Sequence, residues 1–316
     1  MSNMRSKIKI PIYKPQFGKE EIDAVTKVME SGHLSAGEEV DKFEEEFAEY
    51  LGAKFVVAVN SCTSALLLSI RCSVTPEISC PSCTFVSVSN MIIKSGKRIY
   101  FTDEIHVGNA YQLRPIPVWD CAHEIYFQKN FESGLFCYSF YPTKLIASCE
   151  GGAIATDDEF LYRKLRLLRN HGMERKGFSW DYSVERIGYK MTMNNIQAAI
   201  ARVQLKKLPE LNEQRQKIVD IYNKELELTN TSLHIYPVQV EAERRNEIMQ
   251  KLEDEGIETS VHFKPIHKQP AYVRMMPNLV LPKSEEWGNT EISLPLWAGM
   301  TDKEVKHICK KVRENI

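Results

Sequence analysis

The sequence predicts an α/β protein with a mixed, mainly parallel sheet flanked by helices, followed by a smaller C-terminal α/β domain. Two continuous apolar runs, Phe55 to Val59 and Leu135 to Tyr141, are typical of strands buried on both faces. Segments with apolar residues at helical spacing separate such runs. Beyond His234, strand-like and helix-like segments alternate again. We therefore predict a large domain over residues 1–205 and a small domain over residues 206–316.

Apolar spacing, together with glycines and prolines at segment ends, places the elements along the chain. In order, the predicted elements are helices over Lys19 to Ser31 and Gly37 to Leu51, a strand over Phe55 to Val59, a helix from Ser61, a strand over Glu77 to Cys80, a helix from about Thr84, strands over Arg98 to Thr102, Pro115 to Trp119 and Leu135 to Tyr141, helices over Asp157 to Asn170 and Ala198 to Leu226, a strand over Leu233 to Val240, and helices over Glu241 to Glu255 and Asp302 to Arg313. Pro209 is expected to bend or break the long helix.

Composition argues against several classes of function. Of the 316 residues, 43% are hydrophobic and 26% are charged, and the formal net charge of −1 offers no strong field to nucleic acid or an anionic membrane. The most apolar stretch, Phe55 to Ile70, is interrupted by polar residues and is too short to span a bilayer. The first residues lack the apolar core of a signal peptide. We therefore expect a cytoplasmic protein.

Cysteine usage favours a reducing compartment. Seven of the eight cysteines lie between Cys62 and Cys149, without the spacing of a secreted disulfide framework. Cys80 and Cys83 form a CPSC motif, which occurs in redox pairs and zinc sites. No second CxxC and no histidine pair follow at finger spacing, so we interpret both as reduced core residues and predict no metal site.

The helix in NSCTSALLLSI begins with a possible anion site. Asn60 or Ser61 would cap this helix, and the amides of Ser61, Cys62 and Thr63 would be unpaired at its N-terminus. Such amides and the positive end of the helix dipole attract anions. A capped helix without a ligand fits the same residues, so both interpretations stay open.

Lys144 follows a predicted core strand in SFYPTKLIASCEGG. Lysine is rarely placed beside a core strand unless its charge is paired or its amine is used. The residues allow two interpretations: a side chain that extends from a loop to the surface, or an imine-forming lysine whose lowered pKa makes the amine a nucleophile near neutral pH.

Asp120 ends the predicted strand over Pro115 to Trp119, at the carboxyl end where ligands bind open α/β sheets. The residues alone favour a helix-capping or ion-pairing carboxylate here. For Phe85, in CPSCTFVSVSN, they favour a core position.

Several motifs, taken together and in order, resemble one family. They are AVNSCTSALLLSI, CPSCTFVSVSN, VWDCAHE, SFYPTK with EGGAIATDDE, LRNHGMERK, GYKMTMNNIQAAI, VHFKPIHKQPAY and ISLPLWAGMTDKEV. The chain resembles the DegT-type family of pyridoxal-phosphate-dependent nucleotide-sugar aminotransferases over nearly its whole length. The resemblance implies the fold-type I architecture with pyridoxal 5′-phosphate as cofactor.

The resemblance also implies roles for individual residues. Lys144 would link to the cofactor and move the substrate proton, and Asp120 would keep the pyridine nitrogen protonated. The further implied cofactor contacts are Ser61, Cys62, Thr63 and Ser139 at the phosphate, Phe85 and Ala122 at the ring faces, His123 near the ring hydroxyl, and Lys190 at the cofactor phosphate of the partner subunit. A substrate-binding loop would carry His262, Lys264 and His267, although a polar loop is the simpler interpretation of each.

The chain departs from the family pattern at several places. Cys62 stands where glycine is usual, Lys190 where asparagine is usual, and Thr192 where arginine is usual. A helix and a strand that family members carry between Thr102 and Asp120 are missing. Either the sheet lacks a strand or its edge is built differently.

The implied reaction is amino transfer from L-glutamate to a nucleotide-linked keto sugar, with a 4-keto-6-deoxyhexose favoured over a 3-keto sugar, in a homodimer with shared active sites. Two alternatives remain: an aminotransferase acting on a cyclitol or another keto substrate, and a non-catalytic, cofactor-binding regulatory protein. The related dehydratases carry histidine at the position of Lys144 and are disfavoured.

Overall fold

The structure, a computed structural model, describes residues 10–125, 131, 134–175, 177–178 and 180–316. Its helices are α1 (Lys19–Ser31), α2 (Glu38–Leu51), α3 (Cys62–Arg71), α4 (Ser87–Lys94), α5 (Glu159–Arg169), α6 (Asn195–Leu226), α7 (Arg245–Asp254), α8 (Pro270–Val273), α9 (Pro282–Thr290) and α10 (Asp302–Asn315). Its strands are β1 (Phe55–Val59), β2 (Glu77–Cys83), β3 (Arg98–Ile105), β4 (Tyr111–Leu113), β5 (Val118–Asp120), β6 (Leu135–Ser139), β7 (Gly152–Thr156), β8 (Met173–Arg175), β9 (Tyr182–Val184), β10 (Tyr236–Gln239) and β11 (Glu291–Leu294). The predicted helices and strands are confirmed, with shifts of one to a few residues at their ends.

The central sheet is buried on both faces, as the continuous apolar runs predicted. In β6, Leu135 and Cys137 pack into one core while Phe136 and Tyr138 pack into another. Successive side chains of a strand point to opposite faces, so a strand between two cores must be apolar throughout. Residues of α3, α4 and α5 contribute to the first core, and residues of α2 and α6 to the second.

Strand directions confirm the mixed, mainly parallel sheet. The hydrogen-bonded order is β1-β7-β6-β5-β4, in which β5 and β6 are parallel and the other pairings are antiparallel. β2 and β3 form a parallel pair that joins this sheet through backbone hydrogen bonds between Ser79 and Arg114, the residue after β4. Followed through these pairings, five of these seven described strands run in one direction, and only β4 and β7 run in the other.

The short segment between β3 and β5 contributes one further strand, β4, to the sheet. β4 lies antiparallel beside β5, and its next residue, Arg114, pairs with β2. Only residues 106–110 separate β3 from β4. A parallel crossover needs a dozen residues or more, so a connection this short can only bring the chain back in the opposite direction.

The long helix α6 passes through Pro209 without interruption, so the expectation of a broken helix is wrong. Leu205, Leu208 and Leu211 are buried around the proline. Contacts with α1, α2 and α10 surround α6, and we attribute its continuity to this packing, which offsets the hydrogen bond that proline cannot make. The predicted boundary between residues 205 and 206 falls inside α6, and the domain division stays a prediction.

The C-terminal part has a core of its own. β10 and β11 form an antiparallel pair, and α7, α10 and the second half of α6 contribute to that core. The segment that leads from α7 to α9 packs back against the sheet: the N-terminus of α9 is capped by Asp103, which accepts from the amides of Lys283 and Ser284. This packing brings residues 260–263 to the side of the sheet where β5 and β6 end.

Candidate active site

A cavity of about 560 Å³ lies where β5 and β6 end, beside the N-terminus of α3. Its lining residues come from several strand ends, from the loop between β6 and β7, and from the C-terminal part of the chain. Ten of the predicted site residues line this cavity: Ser61, Cys62, Thr63, Phe85, Asp120, Ala122, His123, Ser139, Lys144 and His262. Residues separated by up to about 200 positions in the chain thus share one concave site, as ligand sites of open α/β sheets do.

Lys144 projects into this cavity from the loop between β6 and β7. A backbone hydrogen bond of 2.8 Å from its amide to the carbonyl of Tyr141 forms a turn just after the strand. Protein atoms surround most of the side chain, yet the cavity leaves part of it accessible. Burial lowers the pKa of Lys144 to about 8, while the charge of Asp120 opposes this shift. The interpretation of Lys144 as a surface lysine is therefore wrong, and a fraction of its amine is uncharged near neutral pH.

Asp120 presents a buried carboxyl to the same cavity. Its Oδ1 accepts a hydrogen bond from the amide of Ala122 at 3.0 Å, and its Oδ2 accepts from the hydroxyl of Tyr111 at 3.0 Å. Burial raises the pKa of Asp120, while these hydrogen bonds and Lys144 lower it. No salt bridge joins Asp120 to a basic side chain in the described part of the chain, so the ion-pairing interpretation is wrong. The carboxyl is oriented by neutral donors and is available to a cationic ligand.

The N-terminus of α3 forms a cradle beside the lysine loop. Ser61 caps the helix by accepting from the amide of Ser64 at 3.1 Å, while the first-turn amides have no carbonyl partner within the helix. Gly152 lies against this end: a Cβ there would be 2.5 Å from the amide nitrogen of Cys62. Only glycine lets β7 approach the helix so closely, and Ser61, Cys62 and Thr63 at this helix end line the cavity.

Phe85 is 56% exposed and lines the cavity, so its interpretation as a core residue is wrong. An aromatic wall, a desolvated amine, a buried carboxyl without a cationic partner and an amide cradle for an anion therefore surround one cavity. These four features match the ring faces, aldehyde, pyridine nitrogen and phosphate of pyridoxal 5′-phosphate, and the residues present fit that cofactor.

Two contacts of the site were missed by the sequence analysis. His234 Nε2 lies 3.2 Å from Lys144 Nζ, and its pKa is held well below the usual value by burial and by the charge of Lys144. Tyr111, which orients Asp120, also shares a 2.6 Å hydrogen bond with Thr84 Oγ1. Both residues lie outside the motifs that indicated the site, and no local pattern distinguishes them.

Two further histidines line the cavity beside His234. The ring of His123 lies 5.1 Å from that of His234 and stacks at 5.6 Å on Phe263. Burial lowers the pKa of His123 well below its usual value and that of His262 to about 4. The cavity therefore holds neutral imidazoles around one titrating amine.

Three predicted site residues lie outside the cavity lining. His267 is buried between Ser82 Oγ, 2.6 Å from its Nδ1, and Glu285 Oε1, 3.1 Å from its Nε2. Both ring nitrogens are thus occupied, and the prediction that His267 binds substrate is wrong. Lys190 and Lys264 are exposed on the surface of this chain, and their roles stay predictions.

The described residues contain neither a membrane-spanning helix nor a cluster of metal ligands. Within them, no helix combines the length and apolar character that a bilayer span requires. Their histidines, cysteines and carboxylates form no group of three that could hold a metal ion. Cys80 and Cys83 are buried free thiols.

Comparisons with known proteins agree with this geometry. The model of the DegT/DnrJ/EryC1/StrS aminotransferase family matches residues 15–115 and 120–313. The spore coat polysaccharide biosynthesis protein SpsC of Bacillus subtilis (strain 168) is 32% identical over 375 aligned positions, covering 96% of each chain. That alignment is longer than the 316 residues of this chain, as expected if the relative carries a segment that is shortened here.

Solved structures show the same fold. PseC of Helicobacter pylori, an aminotransferase involved in the biosynthesis of pseudoaminic acid, superposes with a TM-score of 0.86 at 27% identity, covering 97% of this chain and 98% of that one. Spr1654 of Streptococcus pneumoniae, in its PLP form, has the same fold, with a TM-score of 0.86 at 24% identity and coverage of 97% of this chain and 99% of that one. The chain therefore belongs to the DegT/DnrJ/EryC1/StrS aminotransferase family and is a sugar aminotransferase.

Proposed function

We propose that this enzyme uses pyridoxal 5′-phosphate to transfer the amino group of L-glutamate to a nucleotide-linked keto sugar, a 4-keto-6-deoxyhexose in preference to a 3-keto sugar. The observation that carries the proposal is the desolvated amine of Lys144 in one cavity with the buried carboxyl of Asp120 and the amide end of α3. Each of these groups is suited to a different part of the cofactor.

The cofactor would be held by groups that already face the cavity. The first-turn amides of α3 and the hydroxyl of Ser139 would bind its phosphate. Asp120 would pair with the protonated pyridine nitrogen, a role for which its lack of a cationic partner suits it. When bound, the cofactor supplies an electron sink for the bonds around the amino carbon of the substrate.

Lys144 would serve as nucleophile and proton carrier. A pKa of about 8 keeps both the free amine and the ammonium populated near neutral pH, which a group that takes up and returns a proton requires. His234, a neutral acceptor 3.2 Å away, would hold Nζ of Lys144 when the lysine is not linked to the cofactor. Phe85, Phe263 and Ile12 also line the cavity and add apolar surface to its wall.

The choice of a sugar substrate rests on similarity. SpsC is named for spore coat polysaccharide biosynthesis, and PseC for pseudoaminic acid biosynthesis. The PLP and PMP forms of Spr1654 were both solved, which shows that this neighbour binds the cofactor in two states. We carry over from these proteins the substrate class, not the individual sugar. The cytoplasmic location stays a prediction.

A homodimer with shared sites fits the exposed surface. The hairpin of β8 and β9 and the residues after it carry large apolar side chains, of which Trp180 is 74% and Ile187 is 90% exposed. Apolar side chains clustered on one hairpin are typical of a surface covered by a partner. Lys190, which follows this hairpin, would then reach the cofactor phosphate of a second copy of the chain.

The proposal is tested by the absorbance spectrum of the purified enzyme with pyridoxal 5′-phosphate, before and after addition of L-glutamate. We expect the visible band of the lysine-linked cofactor to give way to that of the aminated cofactor, and a nucleotide-linked keto sugar to reverse the change. Lys144→Ala should show neither the lysine-linked band nor a borohydride-stable link.

Lys264→Ala, which removes an exposed lysine, is the matched control and should keep the lysine-linked band. A borohydride-stable link in Lys144→Ala would contradict the assignment of the lysine. A lysine-linked band that responds to no amino donor would favour a non-catalytic, cofactor-binding protein. Reversal of the spectral change by a cyclitol ketone but by no nucleotide-linked keto sugar would favour an aminotransferase for cyclitols.

A further inference from the structure

A second buried carboxyl reaches the cavity through a line of hydrogen bonds. Glu291 and Ser293 of β11 are buried; Ser293 and His262 line the cavity, and Glu291 lies behind them. Ser293 Oγ lies 2.7 Å from Nδ1 of His262 and forms a short hydrogen bond with Glu291 Oε1. The backbone amide of His262 donates to Glu291 Oε2 at 2.8 Å, and Trp287 Nε1 donates to the carbonyl of His262 at 3.0 Å. The line is therefore continuous from the interior to the cavity wall, and both of its ends are held in place.

The hydrogens in this line depend on one another. Because Oε2 of Glu291 accepts from an amide, a proton on this carboxyl would sit on Oε1 and face Ser293. The serine hydroxyl has a single hydrogen to give. When Glu291 is protonated it donates to Ser293, Ser293 donates to Nδ1 of His262, and the neutral imidazole carries its hydrogen on Nε2. When Glu291 is ionised, Ser293 donates to it, Nδ1 donates to Ser293, and Nε2 becomes an acceptor.

We propose that Glu291, Ser293 and His262 form a proton relay that delivers a proton from Nε2 of His262 to the oxygen of the keto substrate. This inference rests on the proposed function. The Nε2–H bond breaks and an O–H bond forms on the oxygen, which takes its second hydrogen from the attacking amine and leaves as water when its C–O bond breaks. The nitrogen of the new C=N bond keeps one hydrogen and a positive charge, which balances the negative charge left on Glu291. The hydrogen of Ser293 moves to Nδ1, and that of Glu291 moves to Ser293, which leaves a carboxylate. In the opposite half-reaction, where water adds and the 2-oxo acid leaves, the proton returns along the same line.

The surroundings suit such a relay. Burial lowers the pKa of His262 to about 4, and the charge of Lys144 acts in the same direction. Burial raises the pKa of Glu291 to about 7, against the hydrogen bonds from Ser293 and the His262 amide and the charge of Arg245. The other titratable groups that face the relay are His123, His234 and Cys83. Near neutral pH the carboxyl therefore gains and loses its proton while the imidazole stays neutral, and no cation is needed inside the cavity.

The relay is tested by NMR of the full-length protein labelled with ¹⁵N-histidine, with and without pyridoxal 5′-phosphate. His262→Gln identifies the resonances of His262. Between about pH 5.5 and about pH 8.5, His262 should change from the Nε2–H to the Nδ1–H tautomer with a midpoint near the pKa of Glu291. A wild-type His262 that keeps one tautomer throughout this range would overturn the proposal.

Two variants separate the parts of the line. In Glu291→Gln the amide nitrogen donates to Ser293 at every pH, so His262 should stay in the Nε2–H form. In Ser293→Ala the line is cut, and the tautomer of His262 should no longer follow pH. Glu285→Gln is the matched control, because its carboxyl hydrogen-bonds His267 outside the cavity, and it should leave His262 unchanged.

Kinetics separate this inference from the proposed function. Single turnover with the keto substrate should slow roughly 100-fold in Glu291→Gln at unchanged cofactor content, and the dependence on a group near pH 7 should disappear. If His262 switches but no keto sugar is ever aminated, the proposed function fails and the hydrogen-bonded switch stands. If amination proceeds and Glu291→Gln keeps the wild-type rate, the relay fails and the function stands.

Discussion

At the scale of single residues, the charges of Lys144 and Asp120 each affect the pKa of the other group. Burial lowers the pKa of Lys144 and raises that of Asp120, while each charge moves the pKa of the other in the opposite sense. A neutral residue at position 120 would remove the attraction that favours the ammonium. The pKa of Lys144 should then fall further below about 8.

Asp120→Asn therefore has two expected effects. In the wild-type protein stripped of cofactor, the rate at which borohydride traps pyridoxal 5′-phosphate on Lys144 should rise about tenfold per pH unit and level off above about pH 8. In Asp120→Asn the levelling should occur at lower pH. Transamination by the loaded variant should fall by about 100-fold or more, since the charge on the pyridine nitrogen loses its partner.

Tyr111→Phe provides the matched control for this experiment. It removes one hydrogen bond to Asp120 but keeps the carboxylate, so the trapping rate should still level off near pH 8. Wild-type turnover in Asp120→Asn would contradict the role of Asp120 at the pyridine nitrogen.

At the scale of elements, the site depends on how closely α3 approaches β7. Gly152 pairs with Val59 on one side and Ser139 on the other, and α3 begins directly above it. Any side chain here meets the backbone of Ser61 and Cys62 at 2.5 Å, so it must displace the amide end of the helix or strain the sheet. Overpacking of this kind costs about 1–3 kcal/mol.

Gly152→Ala should weaken the binding of pyridoxal 5′-phosphate more than that of pyridoxal, which lacks the phosphate. Loss of one charge-assisted amide contact corresponds to about a tenfold smaller preference for the phosphorylated form. The measurement is the affinity of the stripped protein for both compounds, followed by absorbance, with the melting temperature recorded for each variant.

The matched control is Gly134→Ala, whose Cβ would meet Phe136 and the carbonyl of Pro117 at 3.1 Å and not α3. Its preference for the phosphorylated form should equal that of the wild type. An unchanged preference in Gly152→Ala would exclude this helix end as the phosphate site.

At the scale of the whole molecule, the exposed apolar side chains of the hairpin and the exposed Lys190 lie close together in the sequence and outside the cavity of their own chain. Phe178 stacks on Trp180 with ring centroids 5.5 Å apart, and both are largely exposed. In a dimer, a second copy of the chain would cover these rings, and Lys190 of the first copy would lie at the cavity of the second. Each site would then contain Lys144 from one subunit and Lys190 from the other.

Mixed dimers test this arrangement. Lys190→Ala should weaken cofactor binding about tenfold, and Lys144→Ala should be inactive. Co-expressed at limiting cofactor, the two variants should reach up to about a quarter of the wild-type activity, because half of the dimers have one intact site of two.

A mixture of Lys144→Ala with Asp120→Asn is the matched control. Lys144 and Asp120 of each site come from the same subunit, so each site of a hybrid dimer carries one of the two defects and activity should not recover. If activity does not recover when Lys144→Ala is mixed with Lys190→Ala, Lys190 does not contribute to the active site of the partner subunit.

The sequence by itself determined the architecture and the centre of the site. Strands buried on both faces must be apolar throughout, so the continuous apolar runs of β1 and β6 predicted these two strands. The positions of Asp120 and Lys144 after strands indicated where a ligand would bind. These features are local or depend on the order of motifs, which one chain carries in full.

Only the tertiary structure decided what surrounds those residues. His234 meets Lys144 across 90 positions, and Glu291 hydrogen-bonds the cavity-lining residues Ser293 and His262, which no spacing in the sequence indicates. His267 stands in a motif beside His262 yet is buried against β2. The physical reason is that pKa values and proton paths are set by desolvation and by hydrogen-bond partners from distant elements, and these exist only after the chain has folded.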